Sequence, residues 1–292
     1  FGVGGAGGNA VLRMSKEGNK ELEYVAINTD SQALRLFQSL HTIAIGPNLT
    51  GGMGSGGNHI VGRKAVRESH EEIARLVEGA DMVFLTAGMG GGTGTGATPL
   101  IAAQAKRQGA LTVAVVTRPF SFEGSRRKDV AERGLDQLRE RVDMLIIVDN
   151  DNLLPSLGGK LSLESAFCLA DQVLLQGVQG ISEILTVPGL INVDFADLKA
   201  LMTNGGLSFM AVGHGKGKSA ATDAARSALA NPLFQAPIKG ASGVLLNVKG
   251  GKDLTLGQVH EVAGIIEKAS NNRANVIFGV VQDQKWKSRV SL

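Results

Sequence analysis

The chain predicts an α/β fold: a parallel sheet flanked by helices, then one long helix, then a smaller α+β domain. Three observations carry that expectation. Short apolar runs alternate with helix-spaced segments through the first half. Glycine makes up 40 of 292 residues, about twice its usual ~7% share. It clusters at residues 2–8, 51–57 and 88–96, where strand-to-helix loops should fall. Finally, residues 162–185 hold an apolar pattern at uninterrupted helical spacing.

Taken in order, the strand candidates of the first half are residues 24–27, 42–45, 82–86, 111–116 and 144–148. Helical spacing occupies 61–77, 99–108 and 127–141. Apolar strands alternating with helices imply a parallel sheet covered on both faces. In such sheets ligands sit at the carboxyl ends of the strands, where the glycine clusters lie. The long helix opens with the cap-like Ser162-Leu163-Glu164-Ser165. Leu163, Phe167, Ala170, Leu174, Val178, Ile181 and Leu185 follow at spacings of three and four, while Leu169, Val173 and Leu175 make other faces apolar. A helix apolar all round is expected to be buried. At 1.5 Å per residue this one spans roughly 36 Å, and Pro188-Gly189 ends it. The remainder offers strands at 209–212, 243–248 and 274–281 and helices at 195–202, 219–229 and 256–269. Within it, Gly213-His214-Gly215-Lys216-Gly217-Lys218-Ser219 has Val212 where a P-loop needs its first glycine. It reads as a basic surface turn with Ser219 as a helix cap.

Composition excludes several classes. With 43% apolar and 20% charged residues, the chain is globular rather than disordered. The one cysteine, Cys168, permits no internal disulfide and no cysteine-built zinc site. It reads as a small helix-packing residue, consistent with a reducing cytoplasm. The net charge of +3 is a small excess, not a basic stripe, and one Tyr and one Trp offer few platforms for single-stranded nucleic acid. No apolar run approaches the ~20 residues of a membrane span. No signal peptide is visible, although the chain starts at Phe1-Gly2, at what reads as the tail of a strand. No histidine pair has metal-ligand spacing on one helix, so no structural metal is expected.

Gly2-Val3-Gly4-Gly5-Ala6-Gly7 satisfies G-x-G-x-x-G, and Asp30 follows near the end of the next strand. That is a dinucleotide-binding fingerprint, although a tight structural turn explains a lone match equally well. Gly90-Gly91-Gly92-Thr93-Gly94-Thr95-Gly96 is more specific. Successive glycines expose N–H groups to an anion, and threonine hydroxyls can donate to phosphate oxygens. Thr98-Pro99 behind it suits a first helical turn. A ligand with two or more phosphates would use both loops.

The loop at residues 90–96 resembles the tubulin signature. Together with residues 2–9, Asn28-Thr29-Asp30, Phe120-Ser121-Phe122-Glu123-Gly124 and Asn192-Val193-Asp194-Phe195-Ala196-Asp197, it resembles in order the motifs of the tubulin/FtsZ family, to which the bacterial cell-division GTPases belong. The likeness covers nearly the whole chain. It implies a Rossmann-like GTP-binding domain at 1–160, a central helix at 161–186 and a C-terminal GTPase-activating domain at 187–292. On the family's pattern Gly5, Ala6, Gly7, Gly8 and Asn9 cradle the diphosphate. Gly92, Thr93 and Gly94, with Thr95 beside them, close over the phosphates. Ser55, Gly56 and Gly57 match the loop that senses the γ-phosphate. Ser55 stands where a small apolar residue is expected, adding a hydroxyl toward that phosphate or its water. Thr117, Pro119, Glu123 and Arg127 match positions around the ribose and phosphates, and Asn28, Phe167 and Asp171 match the guanine end. A carboxylate at 171 accepts the paired N–H donors of guanine, which adenine does not offer. Phe167 and Asp171 share a helix face, although periodicity alone serves a core aromatic at 167 equally well.

GTP hydrolysis is mostly positioning and electrostatics around an oriented water, and no His or Glu lies in the glycine loops. Asp194 and Asp197 can be read as the cap and the favourable first-turn acid of a helix. The resemblance adds a second role. In the family this loop reaches the nucleotide of the next subunit, so Asp194 and Asp197 would position water, Asn192 would help hold it and Mg²⁺ would offset phosphate charge, bound mainly through the nucleotide. Head-to-tail contacts that do not close make filaments, so hydrolysis would be coupled to assembly. The implied partners are copies of itself, and membrane-linked division adaptors if the full protein has a C-terminal tail, since this chain stops at Val290-Ser291-Leu292. The implied place is the cytoplasm at the division site, or the plastid stroma. The rival readings are an NAD-dependent oxidoreductase, from Gly2–Gly7 and Asp30, and a non-hydrolysing nucleotide-binding scaffold.

Overall fold

The computed structural model describes residues 1–153, 162–231, 238–271, 274–283, 286 and 288–292. The chain forms two compact units, residues 1–178 with 203–208, and residues 179–202 with 209–292.

The first unit follows the alternation expected of it. Its elements are β1 (Gly2–Val3), α1 (Gly4–Glu17), β2 (Val25–Asn28), α2 (Ser31–Leu34), β3 (His41–Ala44), α3 (Pro47–Thr50), α4 (His59–Glu68), α5 (His70–Leu76), β4 (Met82–Gly88), α6 (Thr93–Arg107), β5 (Leu111–Arg118), α7 (Ser125–Arg139) and β6 (Met144–Asp149). Then come α8 (Leu163–Thr186), which continues into the second unit, and β7 (Gly206–Ser208). The sheet order is β3-β2-β1-β4-β5-β6-β7, and every pairing is parallel. Val3, Ile27, Leu85, Val113 and Val115 are fully buried, as strands covered on both faces must be. Strand order reverses beside β1, with β2 on one side and β4 on the other. A crevice opens at the carboxyl ends of such a pair.

Three expectations need correction here. The helix at 61–77 is two helices, broken at Ser69, whose Oγ accepts Gly46 N–H at 3.0 Å. The neighbouring Glu68 carboxylate accepts the N–H groups of Asn48 and Leu49 at the start of α3. The helix placed at 99–108 begins at Thr93, so Pro99 lies inside α6 rather than in its first turn. The opening is fastened instead by hydroxyls: Thr95 Oγ1 accepts from Gly90 N at 2.8 Å and Thr98 Oγ1 donates to Gly94 O at 2.6 Å. Third, the central helix is not buried all round, since Phe167, Gln172 and Gln176 are exposed. Its cap-like start stands, with Ser162 Oγ accepting from Ser165 N at 3.2 Å.

Helices α4 and α6 touch backbone to backbone at two glycines. A Cβ on Gly96 would lie 2.0 Å from the His59 carbonyl oxygen, and one on Gly62 would lie 2.4 Å from the Gly92 oxygen. Only glycine lets these backbones touch. At the foot of β6, Asp143 ties three elements together. Its carboxylate takes Lys106 Nζ at 2.9 Å and Thr112 N at 2.9 Å, and its carbonyl takes Gly206 N. Because Asp143 is buried, Asp143→Ala orphans a buried N–H and unpairs a cation. We expect it to lower unfolding stability by about 3 kcal/mol, read from the urea midpoint, with Asp143→Asn recovering part of the loss.

The second unit adds α9 (Phe195–Met202), β8 (His214–Lys216), α10 (Ala220–Leu229), β9 (Gly243–Gly250), α11 (Leu256–Ala269), β10 (Asn275–Gln282) and β11 (Arg289–Ser291). Its mixed sheet runs β10-β9-β11-β8, with β9 and β10 parallel and β11 antiparallel to β9 and β8. Ala220, Ala221, Ala224 and Ala225 of α10 pack with Val259, Val262 and Ile266 of α11 over Val248 and Val280. The strand expected at 209–212 is absent, and strands flank it at 206–208 and 214–216 instead. The basic segment at 213–219 is therefore no simple surface turn, because His214–Lys216 is an edge strand. Its glycines serve packing: Cβ atoms on Gly213 and Gly215 would meet the Ala224 and Ala220 carbonyl oxygens at 2.0 and 1.9 Å. Ser219 makes no side-chain cap bond.

Candidate functional site

A cavity of about 290 Å³ lies in the first unit at the carboxyl ends of β1, β4, β5 and β6. Each wall comes from a different loop. Gly4, Gly5 and Ala6 open α1 directly after β1, and Gly5 has open space where a Cβ would be. Gly91, Gly92, Thr93 and Gly94 enter after β4 and begin α6. The floor is thus framed by two helix N-termini, whose unpaired N–H groups favour an anion. Ser55 comes in from the loop before α4, and Thr117, Pro119, Glu123 and Arg127 follow β5. Phe167 and Asp171 approach from α8, one turn apart.

The charged groups are already organised. Glu123 takes Phe120 N–H at 2.9 Å through one oxygen and Arg127 through the other. Phe120 meets the Phe167 ring edge-on at 5.5 Å and stacks on Phe122 at 5.1 Å, so Phe167 has support behind it while staying 42% exposed. Burial pushes the Asp171 carboxyl up to about 6, against the opposing pull of Arg13. A carboxyl held so is primed to regain charge when a ligand supplies donors.

Other candidate residues do not line this cavity. Gly7 and Gly8 are buried packing positions, where a Cβ would strike the Thr86 oxygen at 2.4 Å and the Phe37 ring at 2.6 Å. Asn9 is exposed on α1, and Gly56 and Gly57 are exposed in the loop before α4. Thr95 holds the loop through Gly90 N, as above. Asn28 is buried, and its Oδ1 accepts from Thr29 N at 2.8 Å. Asn192, Asp194 and Asp197 belong to the second unit and are exposed. Asn192 Oδ1 accepts Gly189 N at 2.7 Å, and Ile191 bridges to Val280 of β10. The Asp194 carbonyl accepts Leu198 N to start α9, with Asp197 in the first turn.

One cavity residue was missed from the sequence. Asn150 follows β6, lines the cavity and is only 3% exposed, yet its Oδ1 has no hydrogen-bond partner. A buried amide oxygen left unpaired is an acceptor awaiting a donor. Its position at the end of a parallel strand was the available clue. Asp30, by contrast, is used locally. Its carboxylate caps α2 through Gln32 N and Ala33 N at 2.9 and 3.0 Å, a local role that accounts for the acid without a ribose.

Residues 1–158 match the Tubulin/FtsZ family, GTPase domain, and residues 206–292 match the FtsZ family, C-terminal domain. The chain belongs to the tubulin/FtsZ family. It is accordingly a GTPase. An FtsZ dimer from M. jannaschii, in the empty state, superposes with a TM-score of 0.94 at 43% identity, covering 99% of this chain and 84% of that one. A variant FtsZ from M. jannaschii gives 0.93 at 43% identity, over 99% and 86%. A CetZ protein from Haloferax volcanii, in a GTPγS-bound protofilament, shares the tubulin/FtsZ fold with a TM-score of 0.81 at 21% identity, over 99% and 89%.

Proposed function

We propose that this GTPase assembles head to tail into cytoskeletal filaments for cell division of the Z-ring type, and that each filament contact completes a hydrolytic site. The observation that carries the reading is the state of the cavity's acids. Glu123 is bound to Phe120 N and Arg127, and Asp171 is half-buried and protonates easily. Neither is placed as a base for water, whereas Asn192, Asp194 and Asp197 are exposed. Relatives whose structures are a dimer and a protofilament support self-association.

The residues fit a guanine nucleotide. The open backbone at Gly5 and the helix start at Thr93 suit phosphates, and the unpartnered Asn150 Oδ1 suits a base amino group. In this reading Gly5, Ala6, Gly92, Thr93 and Gly94 hold the phosphates, with Gly7, Gly8 and Thr95 shaping the loops. Thr117, Pro119, Glu123 and Arg127 position the ribose and Phe167 stacks on the base. Asp171 accepts the base N1–H and, with Asn150, its amino group. Among the described residues no cluster of three His, Cys, Asp or Glu could hold a metal, so Mg²⁺ would be held through the phosphates and would neutralise their charge. Asp194 and Asp197 orient water toward a neighbour's nucleotide, and Asn192 keeps their loop in shape. Among the described residues no helix is long and apolar enough to cross a membrane. If the full protein has a C-terminal tail, membrane-linked adaptors that grip it would attach such filaments at the division site, in the cytoplasm or plastid stroma.

Turnover per subunit, measured against protein concentration with sedimentation in parallel, tests this. We expect turnover near zero below a threshold, then a rise together with GTP-dependent pelleting. Constant turnover at every concentration without pelleting would place the whole site in one chain and end the filament reading.

A further inference from the structure

We propose that Thr29, Thr93 and Ser55 form a one-way chain of hydroxyls that offers a single proton donor to the terminal phosphate of a nucleoside triphosphate, and so sets the preference for GTP over GDP. This rests on the nucleotide reading above and goes beyond it by assigning the discrimination to particular atoms.

The three hydroxyls come from elements far apart in sequence: the end of β2, the opening of α6 and the loop before α4. Thr29 Oγ1 lies 2.6 Å from Thr93 Oγ1, which lies 3.1 Å from Ser55 Oγ. Residue 92 must be glycine for this contact, since a Cβ there would sit 2.2 Å from Ser55 Oγ. Three hydroxyls carry three protons. Two are spent within the chain, so one remains, and its position depends on the chain's direction. Thr29 is 1% exposed and lies off the cavity wall, while Ser55 is half-buried and lines the cavity. If the chain ran inward, the spare proton would end at Thr29 in a buried place where its hydroxyl has no other acceptor among the described bonds. Run outward, Thr29 donates to Thr93, Thr93 to Ser55, and Ser55 into the cavity. Outward donation from Thr29 satisfies every buried group of the chain; Thr93 also lines the cavity, and a phosphate oxygen beside Ser55 selects the order in which Ser55 is the last donor.

An anion at the mouth of the chain reinforces that direction, because each bond polarises the next. Ser55 then joins the ligand at one end to the buried Thr29 at the other, and ties the loop before α4 to the ligand. A diphosphate that ends short of Ser55 gains nothing from it. Thr29 does not line the cavity, so any effect of its hydroxyl on the ligand must pass through Thr93, directly or onward through Ser55.

The test compares equilibrium binding of GDP and of a β,γ-methylene GTP analogue to dilute, nucleotide-free protein. For Ser55→Ala we expect the triphosphate-to-diphosphate affinity ratio to fall about tenfold. For Thr29→Val we expect a fall of about threefold, with Thr29→Ser restoring the wild-type ratio. An unchanged ratio in Thr29→Val or Ser55→Ala would overturn the proposal, as would equal weakening of both nucleotides, which is the mark of a packing defect. If wild type binds neither nucleotide, the underlying site assignment fails and takes this proposal with it. If both bind but the variants leave the ratio intact, only the hydroxyl chain fails.

Discussion

Asp197→Ala is expected to keep nucleotide binding and to lose turnover by at least about 100-fold, the usual scale for removing a group that handles the reacting proton or water. The fold should tolerate the change. Asp197 is exposed in the first turn of α9, where an acid contributes only about 0.5 kcal/mol through the helix dipole. Helix α9 is anchored by Leu198 and Met202, both buried, and Asp194 O still starts it through Leu198 N. Binding is expected to survive because Asp197 does not line the cavity. A binding titration beside a steady-state phosphate-release assay separates the two. Mixing provides a sharper check. If each site borrows its neighbour's loop, a minority of variant subunits should suppress turnover in wild-type filaments beyond their share. Suppression in simple proportion to the variant's share would mean that every chain works alone, and normal turnover in the pure variant would remove Asp197 from the mechanism.

Asp171→Asn should lower GTP affinity by at least about 100-fold, or roughly 3 kcal/mol. The amide keeps an acceptor for guanine's N1–H but turns a donor toward its amino group, leaving that buried donor unpaired. The same amide suits xanthine, which has an oxygen where guanine has the amino group, so affinity for XTP should rise. Equal loss of both nucleotides would point to a collapsed pocket instead. The pH dependence has a definite sign. In the empty protein the Asp171 carboxyl sits at about 6, raised from 3.8 by burial. The folded state therefore holds that proton more tightly than the unfolded chain. This contributes stability below the unfolded value, and the contribution is lost as pH rises through about 6. Guanine needs the charged form, so affinity should be level above pH 6 and fall toward tenfold per unit below it. Because the phosphates titrate nearby, the diagnostic quantity is wild type minus Asp171→Asn at each pH.

Much of this was legible in the sequence, for identifiable reasons. The run Gly90–Gly96 and the acidic loop at 192–197 are contiguous, so their motifs can be read without coordinates. Strands such as β4 and β5 are buried on both faces and read as apolar runs. What stayed hidden depends on distant positions meeting. Thr29, Ser55 and Thr93 each stand in a motif that the sequence shows, but that their hydroxyls join is visible only when three loops converge. Asn150 belongs to no motif, and its place after β6 is a weak clue until its orphaned oxygen is found beside the cavity. The break at Ser69 was invisible because its cause, Gly46, lies on another element. Pro99 misled because proline usually marks a helix start, and here the hydroxyls of Thr95 and Thr98 build the turn ahead of it.

The bare contact between α4 and α6 has a mechanical consequence. Ordinary helix pairs accommodate small displacements by switching rotamers across the interface, which makes their response graded. At Gly62, Gly92 and Gly96 there are no rotamers to switch, and the backbones already touch. The Ser55 loop and the loop that opens α6 can then only travel as one piece or come apart, so the joint behaves as a latch rather than a spring. Whatever the nucleotide transmits through it should arrive in two discrete levels. A methyl group at position 96 should hold the latch open in every nucleotide state, while substitutions on the exposed face of α4 should leave it closed.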